Sequence, residues 1–331
     1  MKPKSSSFHS NREQDRTVSR RAALTRLGAG ALTLAAFQGA TGRLEAAVAS
    51  GYKLFERSNL MAWCIVPFDA KKRGPEDRAA MLQRLGLRHF AYDYRQEHIP
   101  SFDTEIEACA RHGVRIDAWW FPTQLNDEAK LILGVLKKHK LSPQLWVMGG
   151  GGEPKTAAEQ EARVDAEAAR LTPICAAARE IGSSVGLYNH GGWFGEPENQ
   201  IRIIHRLHRD GVRNVGVVYN LHHGHDHLDR FPQLLATMKP HLLALNLNGM
   251  TRQGDRVGKK ILPLGQGDLD AALLKTIAES GWHGLVGILN HTDEDAEARL
   301  LDNLEGLDWL VLQARGKKAG TKPQPRSWKP S

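Results

Sequence analysis

Several apolar runs in this chain stop at an asparagine, and histidine often stands beside it. Asn189-His190 closes Gly186-Leu187-Tyr188, Asn220 precedes His222 and His223, Asn246 and Asn248 flank Leu247, and Asn290 precedes His291. A carboxamide both donates and accepts hydrogen bonds, which suits a polyhydroxylated ligand. An imidazole exchanges protons near neutral pH. His190 and His223 are therefore the candidate acid/base residues, with Glu153 behind the tetraglycine Gly149–Gly152 as a reserve acid. Asn189, Asn220, Asn246, Asn248 and Asn290 are candidate substrate-binding amides, Asn220 and Asn246 as donors to an enolate oxygen. Arg95 suits a carboxylate or phosphate, and Trp120 offers an apolar face to a sugar ring.

Other readings attach to the same residues. Asparagines also cap helices and build turns, and Asn290 stands before Thr292 and an acidic helical start. His222, His223, His225 and His227 form either a transition-metal cluster or a solvated loop. The tetraglycine either admits a ligand close to the backbone or acts as a hinge, and it lacks the Lys-Ser/Thr of a phosphate loop.

The elements that must carry these residues alternate between short β-rich runs and longer helical patterns. Strands are expected at Leu60–Pro67, Arg88–Tyr94, Arg115–Phe121, Gln144–Met148, Ser184–Asn189, Val215–Asn220, Leu242–Leu247 and Gly284–Leu289. Their runs are almost continuously apolar, as strands covered on both faces should be. Helices are expected at Pro75–Leu85, Ser101–His112, Ala157–Ile181 and Asp268–Ser280, the last three closed by Gly113, Gly182 and Gly281. Eight such units predict an α/β fold, a single (β/α)8 TIM barrel, whose reactive groups gather at the carboxyl ends of the strands. A doubly wound open sheet is the competitor, weakened because no glycine-rich phosphate loop follows the first run.

Composition bounds the rest. The 331 residues carry a net charge of +8, but residues 1–49 hold eight basic and three acidic side chains, and 315–331 hold six basic and none acidic. Residues 50–314 are therefore mildly acidic, and no nucleic-acid partner is expected. Three cysteines, Cys64, Cys109 and Cys175, have no zinc-like spacing and cannot all pair. Residues 1–49 read as a twin-arginine-type signal peptide, with Arg20-Arg21 ahead of an apolar stretch and Ala47-Val48-Ala49 as a cleavage site. The apolar stretch is too short for a stable membrane anchor. A periplasmic or secreted location follows, with 50–314 as the barrel and 315–331 as a basic, disordered tail.

The segments Gly186-Leu187-Tyr188-Asn189-His190-Gly191-Gly192, Asn220 with His223, and Leu264-Gly265-Gln266-Gly267-Asp268-Leu269-Asp270 resemble the sugar phosphate isomerase/epimerase family, of the xylose isomerase-like TIM barrel superfamily. The resemblance spans residues 55–313. It implies a barrel that isomerises, epimerises or eliminates at a carbon next to a carbonyl. It also implies one divalent metal held by Glu, Asp, His and Glu on strands 5 to 8. Tyr188, Asn220, Asn246 and Asn290 stand at those positions, so the ligand set is not intact and the cofactor is unassigned. The expectation is an exported sugar isomerase/epimerase-like enzyme with a small carbohydrate substrate. The alternatives are a carbohydrate-binding barrel that has lost its chemistry and a metal-dependent hydrolase akin to the endonuclease IV branch. The sugar and the oligomeric state are not assigned.

Overall fold

The computed structural model describes residues 51–326. The expected signal segment 1–49 and the last residues of the expected tail lie outside them. Eight parallel strands close on themselves in sequence order, β1 pairing with β8. They are β1 (Leu60–Trp63), β2 (His89–Tyr92), β3 (Arg115–Phe121), β4 (Gln144–Val147), β5 (Val185–Tyr188), β6 (Val215–Asn220), β7 (Leu242–Leu247) and β8 (Leu285–Leu289). Around them run α1 (Pro75–Arg84), α2 (Phe102–Arg111), α3 (Asp127–Lys138), α4 (Ala157–Glu180), α5 (Gly192–Gly195), α6 (Pro197–Arg209), α7 (Phe231–Met238), α8 (Asp270–Glu279) and α9 (Ala296–Ala314). The expected barrel is the one found, and the open sheet is ruled out by closure.

Local chemistry sets the element ends. Asn126, Thr156 and Asp295 cap α3, α4 and α9 by accepting from the backbone N–H of Ala129, Glu159 and Glu297. Gly113 and Gly182 adopt φ of 66° and 73° just past α2 and α4, as helix-ending residues do. β1 stops four residues before the expected Pro67, because Cys64 takes a left-handed φ of 57° that no strand continues.

Two apolar cores result. The larger lies between strands and helices. The smaller fills the barrel and includes Met61, Trp63, Ala91, Ala118, Trp146, Tyr188, Val218, Ala244 and Leu289. Its large rings need missing side chains opposite them. A Cβ on Gly186 would sit 2.7 Å from Trp146 Cδ1, and one on Gly287 2.3 Å from Trp63 Cε3. With both positions glycine, the two indoles pack at a centroid distance of 4.0 Å and floor the mouth of the barrel.

The tail continues past α9 as an ordered strap as far as Arg326. Gln266 Nε2 donates to Pro323 O (3.1 Å), Trp309 Nε1 to Gly320 O (3.4 Å), and the Arg326 guanidinium pairs with Asp302 and Glu305 at 2.8 Å each.

Candidate active site

Strand alternation decides which of the expected residues face the barrel interior. Tyr188, on the inner face of β5, stacks over Trp146 at 6.1 Å and stands 5.3 Å from Trp120. Its neighbour Asn189 therefore turns outward and staples β5 to β6: Asn189 Oδ1 accepts from Asn220 N (2.7 Å) and Nδ2 donates to Asn220 O (3.1 Å). Leu289 is the register partner of Trp63 and faces inward with it, which turns Asn290 toward the helix layer. Neither Asn189 nor Asn290 is presented to the mouth, and both are fully buried.

Asn220 and Asn246 do face inward, but they bind each other. Asn246 Nδ2 donates to Asn220 Oδ1 (2.8 Å), which also accepts from His222 N (3.1 Å), while Asn220 Nδ2 donates to the Tyr188 hydroxyl (2.7 Å). Both amides have 0% exposure, so they build the floor rather than the binding surface. Asn248, one pleat further out, donates to Gly249 O (3.0 Å) and Lys260 O (3.4 Å), fixing the loop after β7. Tyr188 keeps its phenol proton, since burial drives its pKa well upward.

Above this floor lie the imidazoles. His190, just past β5, and His223, just past β6, have ring centroids 4.5 Å apart, and both rings rest against Tyr188 at 6.1 and 5.7 Å. His223 continues to His222 (3.9 Å) and His222 to His291 (5.1 Å). Burial lowers the pKa of His190 and His291 and brings His223 down to about 3, with neighbouring imidazoles and Lys260 adding to the effect on His223. The rings are thus neutral bases at neutral pH. The rest of the histidine run disperses: His225 donates to Lys260 O (2.9 Å), and His227 joins Tyr219 (2.9 Å) and Glu196 (3.1 Å) in a buried network.

An open cleft of about 410 Å³ leads to this point, its walls including Tyr94, Arg95, Trp120, Thr123, Glu128, Met148 and His190. Arg170 on α4 ties its two sides, donating to Thr123 O (2.5 Å) and Met148 O (3.4 Å). Arg95 lies over the Phe68 ring at 5.5 Å, and its Nη1 is spent on the carbonyls of Asp93 and Tyr94 (2.8 Å each). Of the expected residues, His190, His223, Arg95 and Trp120 thus meet at one mouth. Glu153 does not join them: it is exposed and stands outside the cleft walls. The tetraglycine is likewise spoken for, since Arg163 binds the carbonyls of Gly150 and Gly152, and a Cβ on Gly149 would strike the Phe194 ring.

Sequence reasoning read His222 only as part of a metal cluster or a solvated loop, and gave no role to three further residues here. His291 sat in plain view beside an expected one, whereas Lys260 arrives on a loop without regular pattern. The third, Asp93, follows β2 with 0% exposure, and burial pushes its carboxyl up to about 7 although Arg95 and the Val66 N–H pull it down.

The residues present do not fit the divalent ion that the resemblance implies. Tyr188, Asn220, Asn246 and Asn290 offer no anionic oxygen; the first three hydrogen-bond one another, and the buried Asn246 Oδ1 and the Asn290 amide, which have no partner, are neutral ligand groups. Among the described residues no group of three or more His, Cys, Asp or Glu side chains is arranged to hold a metal.

No protein-family model and no curated protein match this chain. Solved structures do. It is similar to an IOLI protein with a bound zinc atom (TM-score 0.58, 16% identity, covering 77% of this chain and 99% of that one). It is also similar to a D-tagatose 3-epimerase-like protein (0.57, 14%, 78% and 98%) and to the 3-keto-D-glucoside 4-epimerase YcjR of E. coli (0.53, 13%, 76% and 98%). The fold is a closed eight-stranded (β/α)8 TIM barrel, the architecture these structures share. At these identities the likeness is one of architecture. No helix among the described residues is long and apolar enough to cross a membrane.

Proposed function

We propose that this chain is a sugar isomerase/epimerase-like enzyme that moves a proton on a carbon next to a carbonyl, using imidazole as the base. The observation that carries the reading is the contact of His190 and His223, 4.5 Å apart, at the inner end of the cleft that Trp120 and Arg95 line. A sugar ring lies against the Trp120 indole, and a neutral imidazole takes the proton from its acidic carbon. The imidazolium so formed returns that proton to the same or the neighbouring carbon, directly or after passing it to the adjoining ring, whose centroid is 4.5 Å away. The epimerases among the similar structures support the substrate class.

The test is proton exchange. Full chain incubated with aldoses, ketoses and keto-glycosides in deuterated water should wash out a single C–H signal beside the carbonyl of its substrate. His190→Ala and His223→Ala should each slow this by roughly 10²–10⁴-fold, the usual contribution of a positioned acid or base. A specific observation favours a second reading, a carbohydrate-binding barrel without chemistry: Tyr188, Asn220 and Asn246, three of the four positions where the resemblance implies metal ligands, hydrogen-bond one another instead. Sugar binding with no exchange for any sugar would establish that reading instead.

The Arg20-Arg21 segment supports export through the twin-arginine route. Lys at both positions should hold the precursor in the cytoplasm, and unchanged periplasmic accumulation of the double variant would contradict export by that route.

A further inference from the structure

Two segments of equal length carry the candidate bases. Residues 189–196 run on from β5 with His190, residues 220–227 run on from β6 with His223, and the two are tied together at both ends. At the strand end Asn189 binds both backbone groups of Asn220 (2.7 and 3.1 Å). At the far end His227 Nε2 meets Glu196 Oε1 (3.1 Å). Each tie joins residues 31 apart in sequence, so the segments keep step. Each is also braced within. In the first, Gly195 N donates to Gly191 O (3.2 Å) and Glu196 N to Trp193 O (3.4 Å). In the second, Gly224 N donates to Leu221 O (2.8 Å) and His227 N to Gly224 O (3.0 Å).

The far tie belongs to a longer chain of bonds. His227 is only 4% exposed. Glu196 is engaged on its other oxygen by Arg230 Nη2 (2.6 Å). The bond from His227 holds the Glu196 carboxyl below its usual range, with Arg230 adding to the effect and burial opposing it. A carboxylate only accepts, so Nε2 is the donor. The other ring nitrogen, Nδ1, meets the hydroxyl of Tyr219 (2.9 Å), the β6 residue beside Asn220, and burial keeps that phenol protonated. Gly224 makes this reach possible. A Cβ there would strike Tyr219 Oη, so the turn that carries His223 is moulded on the phenol.

We propose that the Glu196–His227–Tyr219 chain is the positioning device of the proton-transfer site, holding the His190 and His223 rings at their 4.5 Å spacing. This rests on the imidazole reading above and names the residues that set its geometry. None of the three stands among the cleft walls, so they act through the two segments and not on the substrate. Released at the far end, each segment pivots about the Asn189–Asn220 staple and the rings part. Misplacing a reacting group by about 1 Å costs on the order of 10²-fold in rate.

NMR of the full chain with isotope-labelled histidine tests this without requiring turnover. The wild type should show ring-to-ring cross-relaxation between His190 and His223. Glu196→Ala cuts the carboxylate end of the chain, and Tyr219→Phe removes only the hydroxyl. Glu196 is half-buried with Arg230 keeping Glu198 as a partner, and Phe retains the Tyr219 ring, so both variants fold. In both, the cross-peak should weaken or vanish, and substrate C–H exchange in deuterated water should slow by roughly 10- to 10²-fold in kcat with KM unchanged. Glu196→Gln keeps an oxygen for His227 Nε2 and should recover most of the cross-peak and of the rate. A cross-peak of wild-type strength in both Glu196→Ala and Tyr219→Phe overturns the proposal, as does wild-type exchange in both, or a loss that falls on KM alone. Cross-peaks lost in the variants of a chain that exchanges no sugar would retire the enzyme reading and keep the positioning chain; exchange by the wild type with the cross-peak untouched in the variants would do the reverse.

Discussion

Asp93 shows how burial alone sets the state of a residue at this mouth. Its carboxyl is pushed to about 7 by desolvation, against an unfolded value near 4. Between those values the unfolded chain gives up the proton and the folded chain keeps it. Folding is therefore penalised progressively as pH rises from about 4 to 7, and fully above that. Asp93→Asn stays neutral throughout and still accepts from Val66 N. Its stability relative to the wild type should rise between pH 4.5 and 8, measured by urea unfolding at both; an equal difference at the two pH values would contradict the assignment. The histidines follow the opposite logic, being held neutral by burial. That Asn and His gather at strand ends was readable from residue types. Which of them face inward was not, because runs apolar on both faces carry no alternation from which to read the inner side. Asn189 and Asn290 were lost to the site on that account alone.

At the scale of elements, the loop between β7 and α8 places Lys260 and is itself held by one carboxylate. Asp270, at the start of α8, accepts from the backbone N–H of Met250 (2.6 Å), Gly265 (2.8 Å) and Gly267 (3.0 Å). The Gly265-Gln266-Gly267-Asp268-Leu269-Asp270 segment thus works as a clasp rather than a ligand site. Asp270→Ala strands three N–H groups and should cost on the order of 3 kcal/mol or more in denaturant unfolding; a loss within about 0.5 kcal/mol, as for an ordinary surface change, would contradict the clasp. The strands themselves were legible to within a few residues because each is a short apolar run bounded by polar turns. β1 was overextended because nothing in Cys64-Ile65-Val66-Pro67 announces the left-handed turn at Cys64. Glu153 followed a glycine-rich stretch that looked like a ligand loop, but its glycines admit Phe194 and Arg163.

For the whole molecule, the barrel has kept its architecture while the four positions that bear metal ligands in the family it resembles hold a phenol and three amides. Tyr188, Asn220 and Asn246 close on one another beneath the mouth, and the imidazoles of His190 and His223 stand above them. The central claim is that the proton moves through those imidazoles and not through a bound divalent ion. It is tested most directly by following substrate C–H exchange in deuterated water before and after exhaustive chelation, with the metal content of the same sample quantified. The account predicts that chelation leaves the exchange rate unchanged and that His223→Ala removes it. Exchange abolished by the chelator, restored by a stoichiometric divalent ion and indifferent to His190 and His223 would contradict it.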